Sequence, residues 1–440
     1  MVSMGSRKYD VVIVGAGGGG AVLGLALAQR GIAVCLIERQ GGLPTTLRAE
    51  TIQPNGQQIL QTLGVLEALG PETVEPVQRF HFIQIGGPRL CTVDYSMLPP
   101  PWDRALVALS NKVHELILSR LSAQPTAELH YGVEFRGLIR LNGAVNGVVV
   151  HHTDDKRTTE IEARLVVGAD GAGSLVRQAL GVTADLHRYP HGYLITLLPR
   201  PDSMREEARY YVGRGELLGL FPAPGNRVVA LYMVEATQRN ELKARGLGPF
   251  KERIGVIDSS MRLPLETLTN WEQVGFLPCS RVRADRWVMD GAVLIGDAAH
   301  AMNPHVSQGR MQAMTDAMVL ADVIAKCRET GDWSAKMLST YEQARRPQVT
   351  MLQHLADEQA TFWNAADPVR CFLRNRVFRG MDQNPRLRYQ ALTATAGLRT
   401  TLPLTWRDKL MAVGILPDPH AYEIPRHGGS LPLSPNDKET

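Results

Sequence analysis

Three clusters in this chain pair glycines with a carboxylate in a way that suits phosphates and sugar hydroxyls. The first is Gly15-Ala16-Gly17-Gly18-Gly19-Gly20, with Glu38 after it. The second is Gly168-Ala169-Asp170-Gly171, with Ser174 and Arg177. The third is Gly296-Asp297-Ala298-Ala299-His300, with Pro304 and Gln308-Gly309 beyond. Glycines permit a tight turn and a close approach of backbone N–H groups to a pyrophosphate, and an acid after the next strand accepts from ribose hydroxyls. A carboxylate at the end of a strand can likewise accept from a ribityl chain, while the helix that follows offers N–H groups to a phosphate or flavin ring. The first cluster alone suits any dinucleotide. The order and separation of all three narrow the ligand to FAD. Asp170 and Asp297 keep a second reading, as plain helix N-caps.

Such residues need strands and helices to hold them. The β-branched run 11–14 predicts a buried parallel strand that breaks at Gly15. The Ala- and Leu-rich stretch 21–30 predicts a helix stopped by Gly31. A second strand over 32–37 delivers Glu38, with Arg39 beside it, about twenty residues after the glycines. Strands over 163–167 and 292–295 lead into the other two clusters, and a helix is expected over 311–325. The fold class is therefore α/β, with a Rossmann-like FAD-binding domain threaded from residues 1–74, 105–181 and 276–347. Residues 75–104 and 182–275 alternate in strand fashion and predict an inserted mixed β-sheet that roofs the cofactor and forms a substrate pocket at the boundary. Residues 348–412 read as a helical segment. The last stretch, 413–440, is rich in Pro, Ser and Gly and reads as a flexible tail.

Bulk properties agree. The 440 residues are 44% hydrophobic and 21% charged, values of a soluble globular protein. No apolar run is long enough to span a bilayer, and the start leads directly into the first strand, so no secretory signal is expected. A net charge of +4 without a basic-aromatic pattern gives no ground for nucleic acid as a partner. Five unpaired-looking cysteines fit reduced thiols in a cytoplasm. His151-His152 with Asp154-Asp155 reads as a solvated hairpin tip in preference to a metal site, and no metal is expected. Arg370, Arg374, Arg376, Arg379, Arg386 and Arg388 interleave with Phe372, Val377 and Phe378. That segment reads as a helix packed on the flavin domain with a charged outer face, in preference to a membrane-surface helix.

By these motifs the chain resembles the single-component FAD-dependent aromatic hydroxylases, the family of para-hydroxybenzoate hydroxylase and the ubiquinone-pathway hydroxylases, from about residue 8 to 345. The resemblance implies a glutathione-reductase-like FAD domain in which Gly15, Gly17, Gly20, Glu38 and Arg39 hold the adenosine half. It implies that Asp170, Gly171 and Arg177 serve FAD and nicotinamide binding, that Asp297 after Gly296 meets the ribityl, and that Pro304 lies by the isoalloxazine. Gln308, Gly309 and Arg48 fall on the flavin side. The chain departs from the family at Ser307, where a glycine is usual, at Arg310, where a small or apolar residue is common, and at Ser110, where many members carry an arginine.

The implied reaction uses NADH or NADPH to reduce the flavin. O2 then adds at C4a, and the distal hydroxyl passes to an electron-rich aromatic or heteroaromatic ring. Pro304, His305 and Arg48 are the catalytic candidates, with His81, His191, Tyr193, Tyr211 and His305 as possible bases. His191, Tyr193, Tyr211 and Phe221 are expected to line the substrate pocket; Tyr210 and Trp271 share that reading with plain core. Two competitors stay open: a reductase of the same superfamily acting on prenyl chains, and a flavin-bearing binding protein. A halogenase is disfavoured by the lack of a Trp-x-Trp-x-x-Ile-Pro segment.

Overall fold

A computed structural model describes residues 9–43 and 49–424. Among the described residues, the first glycine cluster sits at the end of a buried strand, Tyr9–Val14, in an eight-stranded sheet. The strands Ala292–Leu294, Thr158–Gly168, Tyr9–Val14, Val34–Glu38 and Ala127–Tyr131 run parallel in that spatial order. The central strands Tyr9–Val14 and Val34–Glu38 are apolar and buried, as strands covered on both faces must be, while the edge strand Ala127–Tyr131 is only half-buried. Helices α1 (Gly18–Gln29) and α3 (Ser110–Ser122) pack together on one face, while α2 (Pro54–Thr62) stands beside the sheet. Residues 19 to 28 of α1 are all buried, because α1 is sandwiched between the sheet and α4 (Gly309–Thr330). The strands Val133–Leu141 and Ala144–His152 form the expected meander, with a tight turn at Asn142 and Gly143. His151 and His152 belong to that strand rather than to its tip, and the His152 ring is hydrogen-bonded to Thr159.

A seven-stranded sheet forms the second layer, in the spatial order Gly275–Ala284, Ala184–Pro199, Arg227–Glu235, Leu217–Ala223, Glu207–Val212, Arg79–Gln84 and Arg89–Asp94. Two of the expected boundaries move. Residues 276–284 belong to this sheet and not to the FAD domain, because they pair antiparallel with the long strand Ala184–Pro199. The break at 74/75 cuts through the strand Val74–Val77, which pairs with Ala105–Leu109 in a small three-stranded sheet between the layers. One face of the large sheet carries Leu194, Tyr211, Leu218, Leu220 and Ala230 against the helix Leu247–Ile257. The other faces the cofactor domain.

The C-terminal third is helical but interrupted. Helix α5 (Ala335–Trp363) runs straight through the expected boundary at 347/348, with Pro347 inside it. After it come α6 (Pro368–Gln383), α7 (Pro385–Thr395) and α8 (Trp406–Ala412), each begun by a capping side chain: Asp367, Asn384 and Thr405. The described part of the expected tail is ordered. The N–H of Arg386 donates to the carbonyl of Ala421, and Asp418 accepts from both Arg386 and Asn384. The arginine-rich segment forms two helices, α6 and α7, and these pack on the strand Arg89–Asp94 of the large sheet rather than on the flavin domain, with a charged outer face. Arg374 is buried, donating to the carbonyls of Gly213 and Trp363, while Arg370 and Arg379 are exposed. Among the described residues no helix is long and apolar enough to cross a membrane.

Candidate functional site

The three glycine–acid clusters converge because their strands are neighbours in register. Val14 lies opposite Gly168, and Gly168 opposite Leu294, so all three turns open at the same carboxyl edge. Ligands of open α/β sheets bind there. At the first turn Gly15 has φ of +101°, and a Cβ would stand 2.6 Å from the Ala169 carbonyl oxygen. A Cβ on Gly20 would stand 2.0 Å from the Gly15 carbonyl oxygen, so α1 closes on the strand only without one. At Gly17 a Cβ would meet nothing within 4 Å, leaving the N-terminus of α1 open to a phosphate. Glu38 accepts from the N–H groups of Ala16 (3.0 Å) and Gln40 (2.9 Å), which fixes the turn and its own orientation. Arg39 is exposed. Arg48 lies outside the described residues.

At the second turn the structure draws Asp170 as a helix cap. It accepts from the Ser174 hydroxyl and from the N–H groups of Leu175 (2.7 Å) and Val176 (3.1 Å), holding the short helix Leu175–Ala179. Gly171 makes the turn at φ of +82°. Arg177 is buried and donates to the carbonyls of Ala172 (2.9 Å) and Ala298 (2.7 Å). It thereby ties the second cluster to the third.

The third cluster rests on a buried charge network that the sequence did not reveal. Asp316 of α4 has no exposed surface; it accepts from the Gly296 N–H (2.9 Å) and from Arg345 Nε of α5 (2.8 Å), and its other close partner is the His300 ring (2.5 Å). Burial alone would raise its carboxyl, but His300 and Arg345 outweigh that and hold it low. Asp297, one residue after Gly296, opens onto the cleft; the protein around it strips away enough water to raise its carboxyl, against the pull of His300.

Beside Asp297 lies a cleft of about 370 Å³ between the two large sheets. Glu50 and Arg310 form an ion pair at its cofactor end, where the Arg310 stem lies against Gly18 at the start of α1. Arg310 thus stands at the phosphate-binding turn, paired with Glu50. Pro304, Met302, Tyr193, Phe221, Tyr210 and Trp363 wall the rest. Of the expected substrate residues, Tyr193 and Phe221 line this cleft. His191 stands behind it, in a larger polar cleft of about 910 Å³ with His187 and Asp357. Tyr211 does not face the cleft: its hydroxyl donates to Asp258 (2.7 Å) on the far side of the sheet. Neighbours along a strand point to opposite faces, so Tyr210 takes the place expected of Tyr211. Trp271 also packs on the far side, against Phe250. His81 is bonded to Thr92 on an outer hairpin.

His305 lines the flavin cleft, with His191 of the polar cleft behind it, ring centroids 6.0 Å apart. It is buried, with its ring nitrogens near the amide oxygens of Asn303 and Asn364, and Tyr193 Oη stands 3.2 Å from Nε2. Both asparagine amide nitrogens lie 3.3–3.4 Å from His191 Nε2. Burial holds His305 neutral, its pKa lowered to about 3. Gln308 is turned away from the cleft and locks three helices together through Asn55, Gln312 and the Thr395 carbonyl. Ser307 adopts the left-handed conformation (φ of +51°) usual for glycine, and Gly309 begins α4. Nothing in the sequence marks Trp363 or Asn364, which reach the site only because α5 ends there. Among the described residues no group of three or more His, Cys, Asp or Glu could hold a metal.

The open phosphate turn, the carboxylate of Asp297 and the cleft beside it, charged at one end and apolar at the other, fit FAD. A family model described as an FAD binding domain matches residues 8–356. This chain belongs to that family. It is 29% identical over 351 residues to 6-methylpretetramide 4-monooxygenase of Streptomyces rimosus, covering 77% of this chain and 80% of that protein. It is 28% identical over 352 residues to digeranylgeranylglycerophospholipid reductase of Methanocella arvoryzae, covering 76% and 82%. In fold it is similar to p-nitrophenol 4-monooxygenase of Pseudomonas putida, with a TM-score of 0.77 at 20% identity over 89% of this chain and 100% of that one. The chain is an FAD-binding flavoprotein similar to monooxygenases and to a reductase.

Proposed function

We propose that the protein uses NADH or NADPH and O2 to hydroxylate a small electron-rich aromatic or heteroaromatic molecule in the cleft between the sheets. The observation that carries this reading is the cleft itself, charged at the Asp297–Arg310 end and apolar at the Tyr193–Phe221 end, with neutral His305 beside it. FAD, held by Gly17, Glu38, Asp297 and Pro304, supplies the oxygen activation and carries the electrons from the nicotinamide. The apolar walls exclude water from the reacting ring. Tyr193 Oη and the neutral His305 ring, 3.2 Å apart, offer hydrogen-bond partners to the substrate's hydroxyl and orient its proton; with a pKa of about 3, His305 positions that proton rather than removing it. We place the reaction in the cytoplasm, where the buried thiols of Cys91, Cys279, Cys327 and Cys371 stay reduced.

The test is coupled turnover of the FAD-loaded protein with a phenol panel under ¹⁸O2. One labelled oxygen in the product per NAD(P)H consumed is expected, and none when the label is in water. The similarity to a prenyl-lipid reductase favours a second reading, hydride transfer to a carbon–carbon double bond. A saturated product formed without O2 uptake would establish that reading and remove the first. Bound FAD with no NAD(P)H oxidation for any ligand would remove both.

A further inference from the structure

A second cavity, of about 410 Å³, lies on the other side of Tyr210 and Trp363 from the flavin cleft. Its floor is the hairpin of Arg79–Gln84 and Arg89–Asp94, and its roof is the C-terminal helices. Phe80, Val377, Met381, Ala391, Leu404 and Leu410 line it. Its volume falls within the range that encloses a drug-sized molecule, roughly 300–1,000 Å³. Phe362, Leu373 and Ile415 line it too and are 40%, 39% and 67% exposed, so it opens to the outside past them. The rim carries a single ion pair, Glu358 with Lys409.

The two cavities share a wall. Tyr210, His305, Ser307 and Trp363 line both. The wall is made of rings: Tyr210 stacks on Phe82 at 5.0 Å, and Trp363 meets Phe82, Tyr210 and His305 edge-on at 4.9, 5.5 and 5.2 Å. Trp363 is the last residue of α5, so a rotamer change there opens the wall without breaking a helix. A buried apolar space with an apolar mouth and a ring-built door toward the reaction cleft has no structural purpose that packing would not serve better, since a void forfeits contacts.

We propose that this cavity binds the apolar extension of the substrate, so that the substrate is an aromatic ring carrying a hydrocarbon arm or fused apolar body. The ring lies in the flavin cleft and the extension beyond Tyr210 and Trp363. This rests on the aromatic-hydroxylation reading above.

The experiment titrates FAD-loaded protein with 4-alkylphenols from methyl to hexyl and reads the perturbed flavin spectrum. Kd is expected to fall about three- to fourfold per methylene, the factor equivalent to about 0.8 kcal/mol per buried CH2. Ala391→Phe and Val377→Phe, on different helices, fill the cavity from its far side. Each should weaken the hexyl compound at least tenfold and move the methyl compound less than twofold. Flavin content and Tm report whether each variant has folded, and either one suffices. A Kd independent of chain length in the unaltered protein overturns the inference, as does a slope that survives in a folded variant. Short phenols hydroxylated without a chain-length slope would leave the hydroxylase reading standing and remove only this one. If no alkylphenol perturbs the flavin and no aromatic is hydroxylated, both fall.

Discussion

A carboxylate with no exposed atom destabilises a fold unless its charge is shared, and Asp316 shares it with Arg345, His300 and the Gly296 N–H. Removing one partner leaves the other buried and uncompensated, which typically costs about 3–5 kcal/mol. Asp316→Asn is therefore expected to lower unfolding free energy by roughly that much, measured by urea denaturation, and to lower flavin content because one amide oxygen cannot accept from both Arg345 and the Gly296 N–H. A loss under ~1 kcal/mol, in the range of an exposed pair, would mean that the network does not hold the third turn. His305 makes a different prediction. Its folded pKa of about 3 lies below the ordinary histidine value, and His114 is likewise lowered to about 4 by burial and by Arg310. The unfolded chain thus binds more protons than the folded one from about pH 6.5 down to those values. Stability is full above pH 6.5 and is lost as pH falls, His305 contributing a slope of about 1.4 kcal/mol per pH unit. His305→Gln should flatten the dependence between pH 6 and 4. Equal slopes in the two proteins would mean that His305 is not held neutral.

At the scale of elements, the first turn is the most constrained. Gly20→Ala would set a Cβ 2.0 Å from the Gly15 carbonyl oxygen, forcing α1 away from its strand. Overpacking of this kind costs typically ~1–3 kcal/mol, and the displaced N–H groups would bind phosphate less well. The expected outcome is protein purified with little bound flavin and a lowered Tm; full flavin occupancy would refute it. This turn was readable in the sequence because strand, glycines, helix and Glu38 carry separate signals that agree. The strand Gly275–Ala284 was assigned to the wrong layer for a physical reason. Its Ser280, Arg281 and Arg283 give no hint of a partner, and its place is set by pairing with a strand about ninety residues earlier. Helix α5 runs across the domain boundary expected at 347/348: Pro347 removes one backbone donor, yet packing on both sides carries the helix through. Tyr210 and Tyr211 show the same limit within the site. Period-2 alternation says that one of the pair faces the cleft, and only the sheet's position says which. Gln308 and Asp170, whose motifs point to a cofactor, also hold neighbouring elements in place.

Over the whole molecule, α5 is the piece that makes the layers one unit. At ~1.5 Å per residue its 29 residues span about 43 Å. Its first half places Arg345 under the third turn, and its last residues place Trp363 and Asn364 on the substrate cleft. Between them, Gln353 donates to the carbonyls of Val282 (2.7 Å) and Ala301 (2.9 Å), and Asp357 accepts from Arg281 (2.6 Å) and Arg283 (3.3 Å) of the sheet's edge strand. The Tyr189 hydroxyl donates to the same Asp357 carboxylate. A helix fastened to both sheets should pass the stabilisation of one to the other. Cofactor at a hundred times its Kd adds about 2.7 kcal/mol to a folded unit that binds it. If the layers unfold together, FAD should slow hydrogen exchange about a hundredfold, not only in the strand Tyr9–Val14 but also in Arg89–Asp94, which does not line the flavin cleft. Exchange that slows in the first strand alone would show two units that unfold separately. In that case α5 would be a tether, and the geometry of the cleft would not depend on the bound cofactor.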